Sequence, residues 1–460
     1  MAHPATGRLT LDDLGREVSQ GGIDTVIAAM VDMQGRLMGK RVTGRFFVDE
    51  VASGGAHACS YLLGCDVEME PLPGYRLTSW ATGYHDVHLR PDLATLRRLP
   101  WLERTALVLC DVCDETGAPV RESPRQILQA QVARAERLGL LPMVASELEF
   151  YIFRDTYEGA REKQYHNLTP YGQYVEDYHI LQGTKEEWLV RQIRNSLAGA
   201  GVPVEFSKGE WGPGQHEINL RYAAPVEMAD RHTLLKHGAK EIAALNGVAL
   251  TFMAKWRADL AGSSCHLHSS LWDAGGARNV LWDAAEPPPG MSATFRHYLA
   301  GQLAGARQLA YFFAPYINSY KRYLAGTFAP VFVVWSRDNR TCGFRVVGDG
   351  PSLRIENRIP GADVNPYLAF AATIAAGLWG IEHAVEPPAM FEGDAYQAED
   401  LPRIPATLRD AVGELERSEI ARAAFGERVV DHYVHTARLE QDAYDRAVTC
   451  WELSRNFERI

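Results

Sequence analysis

Cysteine is scarce in this chain: there are seven in 460 residues, an odd number that cannot pair completely. A disulfide-stapled scaffold is therefore excluded. The one C-x-x-C, Cys110 to Cys113, lies in an apolar stretch with no second pair at zinc-site spacing, so buried reduced thiols are expected there. Long apolar runs are lacking too. The longest uncharged one, Pro366–Ile381, falls short of the ~20 residues that a bilayer span needs. It reads as a buried, alanine-rich helix. Basic residues do not predominate: 47 Lys+Arg against 58 Asp+Glu leave a net charge of −11, which disfavours nucleic acid as the main partner. Residues 1–19 carry no basic start followed by an apolar core and a small-residue cleavage site. Internal repeats and low-complexity tracts are also missing. These absences lead to the expectation of a cytoplasmic protein with no membrane and no nucleic-acid partner.

What remains is the composition of a globular protein, 46% hydrophobic, 23% charged and 10% aromatic. Its length suggests two or three domains at about 150 residues each. The chain to about Pro119 reads as β-rich. Ile23–Val31 is a mostly apolar run that ends in the turn signal Asp32-Met33-Gln34-Gly35-Arg36; Leu37–Val42 returns, and Thr105–Cys113 is a further strand. The texture then changes. Ser123-Pro124 predicts a helix start with a capping hydroxyl, Ile127, Leu128, Val132, Ala135 and Leu138 keep helical spacing, and Gly139 stops it. Beyond this, strands are expected at 142–153, 203–206, 216–221, 249–254, 264–272, 344–347 and 352–359. Helices are expected at 184–200, 225–246, 292–313 and 366–383, with two or more after residue 408. A boundary falls near residues 114–124, giving domains 1–118 and 119–460.

The charges on the strands carry the chemical information. Residues two apart on a strand share a face. Glu147 and Glu149 therefore point one way, and Leu148 and Phe150 the other. His266 and His268 share a face, as do Arg354, Glu356 and Arg358, and Glu217 sits similarly in Gln215–Leu220. For one strand, a solvated antiparallel face explains such alternation. For four, the glutamates would repel one another without a compensating cation. Carboxylates with an imidazole suit Mg²⁺ or Mn²⁺ better than zinc. Neighbouring arginines would then face an anion such as phosphate or carboxylate. Together these are the equipment of phosphoryl transfer. Neither G-x-x-x-x-G-K-[ST], G-x-G-x-x-G, Asp-Phe-Gly nor G-x-S-x-G occurs, so a nucleotide would bind in some other fold.

Several ordered motifs carry a resemblance over nearly the whole chain. They are Glu147-Leu148-Glu149-Phe150, Gly209–Ile218, Gly262–His268, Asn318-Ser319-Tyr320-Lys321-Arg322, Arg337–Arg340, Arg354–Arg358 and Asn365-Pro366-Tyr367-Leu368-Ala369. In this order they resemble the glutamine synthetase family. The resemblance implies an α+β fold, with an N-terminal β-grasp-like domain and a catalytic domain built as an antiparallel-sheet bifunnel flanked by helices. It also implies a homo-oligomer of two stacked hexameric rings whose sites are shared between neighbouring subunits. By that likeness Glu149, Glu210 and Glu217 match the ligands of one metal ion, and Glu147, His266 and Glu356 those of a second. Arg322 and Arg358, with the Gly262 backbone, match the glutamate-binding residues. Arg340 and Arg345 match arginines on the transferring phosphate, and Arg354, Tyr222 and Ser270 fall at ATP-site positions. The implied catalytic arginines are Arg340, Arg322 and Arg358; the implied cofactors are ATP, as substrate, and two or more Mg²⁺ or Mn²⁺ ions.

The chain departs from that pattern at the ammonium site. The family has a flap glutamate six residues past the Ser-Tyr-Lys-Arg arginine, and Phe328 stands there. An aspartate that the neighbouring subunit lends has no acidic counterpart in His57-Ala58-Cys59-Ser60-Tyr61. Loss of both acids removes the trap and the proton acceptor for ammonium. An ATP-dependent glutamate–amine ligase is therefore expected, resembling the γ-glutamylethanolamide, γ-glutamylpolyamine and γ-glutamylalkylamide or anilide synthetases. Its amine would be a monoamine, with Phe328, His57 and Tyr61 lining the pocket. A polyamine's second ammonium would require acids, which Asp66, Glu68 and Glu70, close by in sequence, could supply. The alternatives are ammonium-dependent glutamine synthesis and a non-catalytic structural or nitrogen-sensing homologue. Tyr396 lies near a modified tyrosine of bacterial type I enzymes, but the surrounding motif is not preserved, and a surface tyrosine is expected.

Overall fold

The computed structural model describes residues 7–460; the first six residues of the segment read for a leader lie outside the described residues. Thr10 opens the first helix, α1 (Leu11–Ser19), through a capping box: its hydroxyl accepts the Asp13 N–H, and the Asp13 carboxylate accepts the Thr10 N–H. The sequence reading passes over this helix because only Leu14 is fully buried, too little for a periodic signal.

The first sheet has β1 (Thr25–Val31), β2 (Leu37–Thr43), β3 (Ala56–Cys59), β4 (Asp86–Pro91), β5 (Arg97–Arg98) and β6 (Thr105–Cys113). Its order is β2-β1-β6-β4-β3, with β5 also on β6; β1 and β6 run parallel and the other pairs antiparallel. Asp32 holds the β1–β2 turn by accepting the Gln34 and Arg36 amides, and Gly35 supplies the φ of +81° that the turn requires. All seven cysteines are free thiols. Burial pushes Cys110 up to about 12, so a thiolate there is disfavoured, as expected of a packed thiol.

Helix α2 (Pro124–Arg137) begins at Ser123 and ends before Gly139, whose φ is +71°. The expected capping bond from the Ser123 hydroxyl is not made; proline at the first helical position and the buried stripe of Ile127, Leu128 and Ala135 define the start instead. The second sheet contains β7 (Leu140–Phe153), β8 (Val204–Gly209), β9 (Gln215–Leu220), β10 (Ala249–Thr251), β11 (Cys265–Asp273), β12 (Trp335–Arg337), β13 (Phe344–Val347) and β14 (Arg354–Asn357). Its order is β12-β13-β14-β11-β7-β9-β8, with β10 on β7. All pairs are antiparallel except β12–β13. Helices α3 (Glu187–Gly199), α4 (Pro225–Leu245), α5 (Ala293–Gln308), α6 (Pro366–Glu382), α7 (Leu408–Glu416) and α8 (Glu427–Arg446) flank it. The fold is thus α+β, as expected. The helix expected over 292–313 is interrupted at Leu309, where φ and ψ are −110° and 11°.

Arg125 locks the two parts together. Nearly inaccessible, it donates to Asp92 and Asp111 from the first sheet and to Asp230 on α4, while the Tyr367 hydroxyl on α6 donates to Asp230. Three carboxylates around one guanidinium compensate its burial.

Among the described residues, no helix is long and apolar enough to cross a membrane. Helix α6 is instead buried on nearly every side and crosses α5 at glycine contacts. A Cβ on Gly380 would lie 2.6 Å from Gly301 Cα, and one on Gly301 would collide with the Ala376 carbonyl oxygen. Gly301→Ala should therefore lower stability by about 1–3 kcal/mol in chemical denaturation. Gly413→Ala in α7, where a new Cβ meets only the ends of Arg417, should be neutral or stabilising by up to about 1 kcal/mol. Equal effects from the two substitutions would show that the α5–α6 crossing is not tightly packed.

Candidate active site

Strand register assembles the charged residues. On β7, Glu149 stands opposite Glu217 of β9, and Glu147 lies opposite His266 of β11. His268 faces Glu356 of β14, which in turn faces Arg345 of β13. The alternating partners Leu148, Phe150, Cys265, Leu267 and Ile355 are all fully buried on the other side. One hydrophobic face thus fixes the polar face opposite.

That polar face lines a cavity of about 570 Å³ holding Glu147, Glu149, Glu210, Glu217, His266 and Glu356. Gly262, Arg322, Phe328, Arg340, Arg345 and Arg358 line the same space. A second cavity of about 470 Å³ contains Tyr222, Ser270 and Arg354; Glu147, Phe206 and Asn219 border both. His57 and Tyr61 reach neither cavity in this chain. They stand on and just after β3 of the first sheet, His57 beside His88 and Tyr61 edge-on to Tyr84.

The carboxylates divide electrostatically into two groups. Burial raises Glu149, even though it accepts the Ser264 N–H at 2.8 Å and the Gln215 amide at 3.1 Å. Burial and Glu149 raise Glu210 to about 7, against the opposing pull of Lys208. Glu217 is raised well above the usual carboxylate range by burial and by Glu147, Glu210 and Glu149. The other group is held ionised. Burial acts against Glu147, but His268 and His266 hold it well below its ordinary value. Glu356 is brought down to about 2, because Arg358, His266 and His268 outweigh its burial.

Glu147, His266 and Glu356 bring one ligand atom each within 4.8 Å of one another, and so do Glu149, Glu217 and His266. Hard oxygens with one imidazole fit a divalent cation. Glu210 belongs to neither set and forms an ion pair with Lys208. His268 takes a different part from His266: it bridges Glu147 Oε1 at 2.8 Å and the Arg354 Nε–H, which donates to Nδ1 at 3.2 Å. With Nδ1 accepting from Arg354, Nε2 is the nitrogen that donates to Glu147.

The arginines form a second layer. Arg322, 3% exposed, donates to the Ile359 and Arg358 carbonyls at 2.8 and 3.0 Å. A Cβ at Gly262 would lie 2.8 Å from Arg322 Cγ and 2.6 Å from the Ala254 oxygen, so only glycine fits beside it. Arg358 and Arg345 donate to the two oxygens of Glu356 at 2.6 and 2.9 Å. Arg358 Nε is buried without a partner, and the exposed Arg340 lines the cavity without an ion pair among the described residues.

Phe328 sits in a turn with left-handed φ at Gly326 (+77°) and at itself (+58°). Its ring is 5.8 Å from that of Trp211 at the cavity edge. Tyr396 donates its hydroxyl to the Ala329 carbonyl at 3.1 Å, tying this turn to the following segment. It is half-buried rather than a free surface residue. The sequence reading missed Lys208, Gln215 and Trp211 as site residues. Only Lys208 carried a usable signal, a lone cation two residues from Glu210 on the same strand face.

A family model described as glutamine synthetase, catalytic domain, matches residues 121–456. A γ-glutamylethanolamide synthetase, GlnA4, of Streptomyces coelicolor is 52% identical over 99% of this chain and 97% of its own length. A glutamate–isopropylamine ligase of a Pseudomonas species is 37% identical over 96% of this chain and 97% of its own. A solved structure titled GmaS/ADP complex superposes with a TM-score of 0.84 at 28% identity, covering 97% of this chain and 99% of that one. With sequence, fold and cavity in agreement over almost the whole length, the chain belongs to the glutamine synthetase family.

Proposed function

We propose that this protein is an ATP-dependent ligase that joins the γ-carboxylate of L-glutamate to a primary monoamine through γ-glutamyl phosphate. The family uses ATP and a divalent metal. In this reading the larger cavity takes glutamate and the transferring phosphate, and the smaller one takes the nucleotide. Arg322 and Arg358, beside the Gly262 backbone, hold glutamate; Tyr222, Ser270 and Arg354 orient ATP. A γ-carboxylate oxygen bonds to the terminal phosphorus as its bond to ADP breaks. Arg340 and Arg345 offset charge on the phosphoryl oxygens. The amine nitrogen then bonds to the acyl carbon, loses a proton, and inorganic phosphate departs.

Glu149, Glu210 and Glu217 would hold one Mg²⁺ or Mn²⁺, and Glu147, His266 and Glu356 a second. When bound, these ions supply Lewis-acid charge neutralisation on the phosphates. Lys208 substitutes as counter-charge for Glu210. The expected division into domains 1–118 and 119–460, and the assembly into two stacked hexameric rings, are part of the same proposal. In the ring, a neighbour's first sheet would bring His57 and Tyr61 to the amine. An exposed aromatic group supports this: Trp80, 84% exposed, meets Tyr84 edge-on at 5.0 Å, next to Tyr61.

The observation that carries the choice of amine is Phe328 facing Trp211. Two half-exposed aromatic rings occupy a position where ammonium binding would call for an acid. Asp177, another acid at this cavity, is already paired with Lys208. An apolar wall favours an amine with an alkyl or hydroxyalkyl tail. The relatives named above for ethanolamide and isopropylamine products both concern primary monoamines.

Phosphate release should be fastest with ethanolamine or a short alkylamine, slower with aniline and polyamines, and at least about tenfold slower with ammonium in kcat/KM, a difference of ~1.4 kcal/mol. Ammonium turnover as good as the best organic amine would overturn the reading in favour of glutamine synthesis. Phe328→Glu should narrow or reverse that ratio while leaving glutamate-dependent ADP formation intact. Glu217→Gln, or a chelator, should cut turnover by at least about a hundredfold. Mg²⁺ or Mn²⁺ should restore the chelated enzyme but not the variant.

A further inference from the structure

A third cavity, about 340 Å³, lies between the two sheets' territories, walled by the β1–β2 turn on one side and by α4 on the other. Lys236 and Lys240, one helical turn apart on α4, both face it, with ammonium groups 5.7 and 5.8 Å from the Phe252 ring centre. Neither forms an ion pair among the described residues. Of the acids on the same helix, Glu227 pairs with Arg231, Asp230 with Arg125, and Glu241 with His237, which also lines this cavity. Arg36, on the opposite wall, is paired with Asp32 and donates to the carbonyls of Val67 and Asp66. Lys236 donates to the Val364 carbonyl at 3.1 Å and has two further N–H groups to offer. Burial and the neighbouring Lys240 depress its ammonium to about 8. An anion would relieve this. Thr233, 1% exposed, lines the same cavity with its hydroxyl unpartnered; the Asp363 carboxylate lines it too and opposes an anion, so the two ammonium groups must outweigh it.

We propose that this cavity binds a small oxyanion, the carboxylate or phosphate of a low-molecular-weight metabolite, between Lys236 and Lys240, and that its occupancy is felt at Arg322. Two compact ammonium groups and a hydroxyl form a point-charge cradle for such a group. The route to Arg322 is short. Asn318 lines the cavity and grips Lys255 at both backbone N–H (2.9 Å) and carbonyl (2.7 Å). Ser319 donates to Asp363 at 2.6 Å, and both Asn318 and Ser319 begin the 3₁₀ turn that ends at Arg322. An anion that draws Lys236 inward shifts the field on Asp363 and hence on this turn. The coupling to Arg322 rests on its role as a glutamate-binding residue; the binding itself does not.

The test uses the full chain with inorganic phosphate and, separately, glutarate, read by thermal unfolding without nucleotide. A saturable rise in Tm is expected with at least one of them. Phosphate alone would point to a phosphate ester, and glutarate alone to a dicarboxylate. The rise should fall in Lys236→Gln/Lys240→Gln to what binding in the larger cavity alone contributes, and the lysine-dependent part should persist in Arg340→Gln, which alters the larger cavity. Lys240→Gln alone, at an exposed position, should raise the half-saturating concentration by about fivefold. No rise in the wild type, or an equal rise in the double variant, would overturn the site. In turnover assays the KM for glutamate should move with the anion more in the wild type than in the double variant, where only competition in the larger cavity is left. A fixed KM alongside a lysine-dependent Tm shift would sink the coupling while the site stood.

Discussion

Everything at the proposed catalytic centre depends on cross-strand register around β7. Glu147 and Glu149 face the cavity only because Leu148 and Phe150 are locked into the core behind them. Their partners Glu217, His266, Glu356 and Arg345 arrive by pairing, one strand after another, through β9, β11, β14 and β13. A slip of one residue on any strand would send its charge into the core and a leucine or isoleucine into the site. The hydrophobic effect thereby fixes a cluster that electrostatics alone would disperse. Glu210 and Glu217, raised by burial and then by neighbouring carboxylates, mark the place where the fold holds like charges together.

The arginine layer opposes that repulsion unequally. Arg358 and Arg345 both engage Glu356, which stays ionised, whereas Glu149 and Glu217 have no arginine donor. Arg322 and Lys208 act on Glu149 only through space, and Lys208 engages Glu210 instead. The cavity is therefore polarised before any substrate enters. One side is compensated by fixed guanidinium groups, and the other is left for a mobile cation. Such an arrangement suits phosphoryl transfer, in which developing charge must meet a preorganised counter-charge without reorganising the protein.

Much of this was legible in the sequence because alternation on a strand is a period-two signal that survives without an alignment. The pairs Glu147/Glu149, His266/His268 and Arg354/Glu356/Arg358 each announced a polar face, and the strands carrying them lie within a few residues of the expected positions. Less legible was whatever depends on partners distant in sequence. Lys208 becomes meaningful only when Glu210 and Asp177 are beside it. Short elements such as β3, β4 and β12 are held by neighbouring strands rather than by their own pattern. Ser123 illustrates the converse: a good capping residue by type makes no capping bond when proline and buried contacts already define the helix start. How the first sheet joins the rest is written in contacts such as the Arg125 cluster, which links residues more than a hundred positions apart.

The exchange of an acid for Phe328 alters how an amine can become a nucleophile. An acidic site holds ammonium as a cation and takes its proton to a carboxylate. An aromatic wall does the reverse: it accepts the alkyl tail and, through lost hydration, makes the protonated form less favourable. The nearby guanidinium groups of Arg358 and Arg340 act in the same direction, since like charge lowers the proton affinity of an amine in the cavity. Bare ammonium gains little from such a wall, because it has no apolar surface to bury. Each added methylene contributes about 0.8 kcal/mol when buried, so two or three carbons can offset the missing carboxylate. In the proposed ligase, selectivity against ammonium would follow from the same aromatic contact that favours the organic amine, with no separate device needed to exclude the smaller competitor.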